Sequence, residues 1–155
     1  MDKNKFKNKY LENTQLGDDN QTDYLMKEIL NFLYILKVQK QGNEMMLILN
    51  TSQILLNELL TYSLERDEYN LVINSDRTNP EYYKKGGFET IDLIKDIIED
   101  YPDMFLGYLV SNIIKYIMRF QYKGRPEEDL KKAIWYINKA AERAKGLIIK
   151  QHRIM

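Results

Sequence analysis

Residues 126–144 read PEEDLKKAIWYINKAAERA, and this stretch decides the fold class. Pro126 suits the first turn of a helix, because its fixed φ is already helical and its missing N–H would have no partner there. Glu127, Glu128 and Asp129 follow, where the positive end of the helix dipole welcomes carboxylates. Leu130, Ala133, Ile134, Ile137, Ala140, Ala141 and Ala144 then recur at three- and four-residue spacing. One face is therefore apolar, and the pattern predicts an amphipathic helix starting at Pro126.

The same period runs upstream. Residues 89–100, ended by Pro102, and residues 104–122 read as two further helices. Nearer the N-terminus, Thr22 and Asp23 can cap a helix that carries Leu25, Ile29, Phe32, Leu33 and Leu36, with Gly42 as its stop. Met45, Ile48, Leu49, Leu55, Leu56, Leu59 and Leu60 predict another over about 44–69. The short connection makes these two an antiparallel hairpin. Asn70, Asn74, Ser75, Asp76, Asn79, Pro80, Gly86 and Gly87 are turn residues, so a boundary falls near Ser75. A brief strand pairing over 69–73 is the sole departure from helix that the pattern allows. Residues 1–21 are polar, with Lys3, Lys5, Lys7 and Lys9 alternating, and read as a flexible basic arm. The expected architecture is an all-α helical bundle: an arm (1–21), a helical hairpin (22–74) and a three-helix C-terminal part (75–155).

Composition narrows the chemistry. The chain has 155 residues, no cysteine, one histidine and a formal net charge of +0. Without cysteine there are no disulfides, thiolate nucleophiles or cysteine zinc sites. His152, the one histidine, stands near the C-terminus and reads as a surface residue, which leaves a Ser-His-Asp triad nothing to use. The N-terminus has no apolar segment of a secretory signal. No apolar run approaches the roughly 20 residues of a membrane span, since Ser111, Asn112 and Lys115 interrupt the longest. Zero net charge argues against nucleic acid as a partner.

Two polar stripes remain. Glu89, Asp92, Asp96 and Glu99 share one helical face. On the next predicted helix Asn112, Lys115, Arg119 and Tyr122 do the same, and residues 112–125 carry four basic side chains and no acidic one. Ile113, Ile114, Ile117, Met118 and Phe120 make the rest of that helix apolar, so Lys115 and Arg119 need counter-charges. These are either the acidic stripe or a bound phosphate, which arginine grips with two parallel bonds and lysine meets as a point charge. The loop Glu81-Tyr82-Tyr83-Lys84-Lys85-Gly86-Gly87 leads into a helix N-terminus, where free N–H groups attract anions. It is not a phosphate-binding loop of the Walker type, whose GxxxxGK[ST] pattern occurs nowhere. Glu89 and Asp92 could hold magnesium, a hard cation that takes oxygen ligands. Trp135 and Tyr136 read as core or interface anchors.

Ordered blocks of sequence also carry a resemblance. Asn79-Pro80-x-Tyr82-Tyr83-Lys84-x-Gly86-Gly87-Phe88-Glu89-Thr90-Ile91-Asp92 is followed by Gly107, then Asn112-Ile113-Ile114-Lys115-Tyr116-Ile117-x-Arg119, Lys123 and Glu128-Asp129-Leu130-Lys131-Lys132-Ala133-x-Trp135-Tyr136. Together they resemble the SaV-like family of small phage proteins over about 79–142, and more distantly a phage deoxynucleotide monophosphate kinase that lacks a Walker motif. The resemblance implies nucleotide handling, a homo-oligomer and the cytoplasm of a bacterial host. It implies Tyr83, Lys84, Asn112, Lys115, Arg119 and Lys123 as ligand residues, with Glu89 and Asp92 as metal or ion-pair partners. Three functions are therefore expected to compete. One is a phage product that binds a host nucleotide or nucleotide signal without altering it, as an anti-defence protein would. Another is a P-loop-free nucleotide kinase or helical nucleotide pyrophosphohydrolase using Mg2+. The last is a module that grips a host protein through the N-terminal hairpin.

Overall fold

The computed structural model describes residues 1–37, 42–66, 86–122 and 124–154. They form α1 (Lys3–Phe6), which runs into a π-helical turn (Lys7–Leu11), then α2 (Asn20–Leu36), α3 (Gly42–Glu65), α4 (Thr90–Ile98), α5 (Met104–Arg119) with a 3-10 turn (Phe120–Tyr122), and α6 (Pro126–Ile154). Among the described residues there is no strand, as the periodicity predicted. No helix among them is long and apolar enough to cross a membrane. The expected boundary near Ser75 and the pairing at 69–73 lie outside the described residues, as does the side chain of His152.

Cross-helix contacts fix the directions. Arg66, just past α3, reaches Asp18 just before α2, so α2 and α3 are antiparallel. Asn138 of α6 accepts from Gln53 of α3 (2.9 Å), while Ile148 lies against Gly42. Arg143 meets Asp103, and Arg119 meets Asp129, so α5 and α6 are also antiparallel. The last helix is thus the plank against which both α3 and α5 lie.

Two of the expected helix caps differ from the sequence reading. The second helix starts at Asn20 and is capped by Asp19, whose carboxylate accepts the Thr22 N–H (2.7 Å), rather than by Thr22 or Asp23. Asp23 instead holds the Leu16 and Gly17 N–H groups. Gly42 opens α3 rather than closing α2. A Cβ there would come within 2.9 Å of Ile148, so glycine allows α6 to lie close.

The N-terminal arm is corrected outright. Phe6, Tyr10 and Leu16 are 0% exposed. Phe6 stacks on Tyr34 (4.2 Å between centroids), and Tyr10 meets Phe88 edge-on (4.8 Å). The Tyr10 hydroxyl and Lys9 Nζ both donate to Asp96 of α4. Burial opposes the Asp96 charge, yet these two donors hold its carboxyl below the usual carboxylate range. Burial together with the Asp96 bond pushes the Tyr10 phenol up to about 12. Farther on, buried Gln121 donates to the Leu16 carbonyl (2.9 Å) and accepts from the Asp18 N–H (2.7 Å). Gly17 sits so near Asp23 that a Cβ would stand 2.2 Å from its backbone nitrogen, so no larger residue fits. The lysines face water while the apolar residues between them complete the core.

Removing the Phe6 ring should therefore expose a cavity. Phe6→Ala is expected to cost about 3–5 kcal/mol in urea unfolding; a cost near zero would restore the mobile arm.

Candidate functional site

The seam between α5 and α6 holds Lys115 and Arg119, two of the charged residues that the sequence singled out. Helix α5 buries Leu106, Leu109, Val110, Ile113, Ile114, Ile117 and Met118, which turns Asn112, Lys115, Tyr116 and Arg119 toward its partly exposed edge. Two arginine–aspartate forks clamp the ends of the helix pair. At one end Asp103 caps α5 through the Leu106 N–H (2.9 Å) and takes two bonds from Arg143 (2.8 and 2.9 Å). The Arg143 bonds are the main reason that the Asp103 carboxyl lies below its ordinary range. At the other end Arg119 Nε and Nη2 each reach Asp129 at 3.0 Å, with the Asp129 side chain only 5% exposed.

Aromatic rings and ammonium groups fill the span between the forks. Tyr116 stacks on Tyr136 (5.9 Å, 25°), and Trp135 stands edge-on to Tyr136 (5.0 Å, 86°). Burial, with the neighbouring Tyr108 and Tyr116, pushes the Tyr136 phenol up. Around the Tyr116 ring lie Lys115 Nζ at 5.4 Å, Arg119 Cζ at 4.9 Å and Lys132 Nζ at 5.6 Å. Each cation is within reach of the ring's negative face, which attracts it. Lys115 and Lys132 make no ion pair among the described residues. Asn112 turns back along its own helix, donating to the Tyr108 carbonyl (3.0 Å).

Arg119 has a counter-charge that the sequence reading did not name. Its fork partner is Asp129 of α6, one of the three acids that the sequence placed in a helix N-terminal turn. The acidic stripe of α4 is divided: Asp96 serves the N-terminal segment, Glu89 stands half-buried at the N-cap position, and Asp92 is exposed. Among the described residues no three acids or histidines come together as a metal-sized group. Gly86 and Gly87 take left-handed φ values of 87° and 84° before α4, a conformation that glycine adopts without strain. Tyr83, Lys84 and Lys123 lie outside the described residues.

Lys132, Tyr108 and Tyr116 at this seam were not singled out by the sequence, and Trp135, read as a core or interface anchor, is half exposed. A signal for them existed. Lys132, Trp135, Tyr136, Lys139 and Arg143 fall at three- and four-residue spacing along one side of α6, beside the apolar face that the sequence did reveal.

Fold and seam together define a helical bundle with a cation- and ring-rich edge. Residues 77–138 match the family described as protein of unknown function (DUF3310). That match takes in α4, α5 and the first part of α6, with Lys115, Arg119, Asp129 and Lys132, and leaves out the N-terminal segment and the α2–α3 hairpin. No curated protein and no solved structure matches the chain.

Because the Asp129 carboxylate is nearly buried and takes both bonds of the fork, its removal costs the guanidinium a bidentate partner. Asp129→Ala is expected to lower stability by about 3 kcal/mol, read by urea denaturation.

Proposed function

We propose that this protein binds a nucleotide or a related small phosphate ester, with Lys115 and Lys132 meeting the phosphate. The observation that carries this reading is the convergence of two ammonium groups on the Tyr116 ring with no carboxylate answering either one. Like charges held together repel, so an anion bound between them gains from both. Arg119, held by Asp129, stiffens the floor of the site. The resemblance to SaV-like phage proteins supports the same ligand class. It also suggests a role as a phage product that sequesters a host nucleotide or nucleotide signal in the host cytoplasm. Charge reversal tests the pair directly: Lys115→Glu with Lys132→Glu is expected to abolish the calorimetric heat of nucleoside monophosphate binding while the melting temperature holds. Unchanged affinity in the double variant would overturn the assignment.

The outer face of α3 favours a second use, as a docking surface for another protein. Leu47, Asn50, Ile54, Asn57, Thr61 and Leu64 alternate by three and four residues, and all are exposed. Leu47, Ile54 and Leu64 are 67%, 59% and 57% exposed, which leaves a coiled-coil-like seam with no partner helix among the described residues. The same helix carries Glu44, Glu58 and Glu65 and no lysine or arginine. Charge complementarity therefore points to a basic amphipathic helix rather than to α3 of a second copy. A synthetic helix with leucine at both seam positions and lysine on the flanks is expected to bind the wild type and not Ile54→Glu. Equal binding to both, or self-association through α3 in sedimentation, would refute this use.

A further inference from the structure

The groove bounded by Phe105, Tyr108, Trp135, Tyr136, Lys139 and Arg143 has a volume of about 400 Å3, within the range of small-molecule sites. Its rings are unusually open for a helical core: Phe105 is 49% exposed, and Tyr108 and Trp135 are 55% exposed each. They are also held in place. Tyr108 lies nearly parallel to Phe105 (6.0 Å, 20°), Arg143 sits over Phe105 (5.6 Å) while fixed by Asp103, and Lys139 sits over Trp135 (5.4 Å). The groove joins the phosphate site through a single ring, because its wall Tyr136 stacks on Tyr116, where Lys115 and Lys132 converge.

We infer that this groove is the base subsite of the same ligand: a nucleobase stacks against Tyr108 and Trp135, and its phosphate extends past Tyr136 to Lys115 and Lys132. The inference rests on the phosphate reading above and adds the chemistry of the ligand's other end. An open aromatic platform that ends on a pair of cations is complementary to a flat heteroaromatic ring carrying an anion. Stacking of a base on a protein ring tolerates any base, since each has a π-face. The groove therefore selects for a planar ring more strongly than for one particular base.

Trp135 is the protein's one tryptophan, so its fluorescence reports on this groove alone. The full chain is titrated with the four common ribonucleoside monophosphates, with adenosine and with ribose 5-phosphate, each followed by emission and by calorimetry. A monophosphate is expected to quench Trp135 saturably, and ribose 5-phosphate to bind without quenching. Tyr108→Ala, a change at an exposed ring, is expected to weaken the monophosphate about tenfold, the loss of one stacking contact, and to leave ribose 5-phosphate binding unchanged. Lys115→Glu is expected to weaken both. If monophosphate and ribose 5-phosphate bind equally and neither quenches, the base subsite is overturned and the phosphate site stands. If adenosine quenches as strongly as its monophosphate and Lys115→Glu changes nothing, the phosphate site fails and the groove remains a ring-binding site. Emission that shifts with protein concentration, together with dimers in sedimentation, would make the groove a contact between copies and overturn the subsite.

Discussion

A carboxylate nearly out of contact with water must be neutralised, and at Asp129 the neutralising group is Arg119. Two charge-assisted bonds in parallel fix direction as well as distance, so this fork sets how α5 and α6 slide along one another. The second fork, Arg143 on Asp103, repeats the constraint at the other end of the pair. With both ends fixed, the rings of α5 and α6 must face each other in one register. Two further positive charges, Lys115 and Lys132, are brought to a single tyrosine as a result. The cation that satisfies the fold and the two that meet no carboxylate among the described residues are thus neighbours in different surroundings.

This division explains what could be read from the chain and what could not. The period of Leu130, Ala133, Ile137, Ala140 and Ala144 depends only on local spacing, and the helix that it predicts is present; all five are fully buried. Lys115 and Arg119 could be marked as charges that need partners, because each lies on a helix that is otherwise apolar. Which acid answers Arg119 depends on the register between two helices, and no spacing within either one reveals it. Asp129 looked like a dipole-complementing residue and is also an ion-pair partner. Lys132 carried no mark of its own, because the ring that it faces belongs to the other helix.

The N-terminal segment was misread for a related reason. Phe6, Tyr10 and Leu16 are isolated apolar residues among lysines, and locally they resemble a solubilising tail. Their partners Tyr34, Phe88 and Asp96 stand far along the chain. The pattern by itself carries no sign of those encounters. Gly17 adds a steric condition of the same kind: its lack of a side chain matters only because Asp23 folds back against it. The helical scaffold was legible where packing follows periodicity and illegible where single residues reach across the molecule.

The separation between Tyr10 and Asp96, 86 positions in sequence, has a consequence for how the molecule is made. Contacts between distant parts of a chain form late because a long loop must close first. Phe6 can meet Tyr34 of α2 as soon as that helix has been made, whereas Lys9 and Tyr10 must wait for Asp96 of α4. The segment is thus tied to the bundle at two places of very different loop length, one 28 positions away at Tyr34 and one 86 positions away at Asp96.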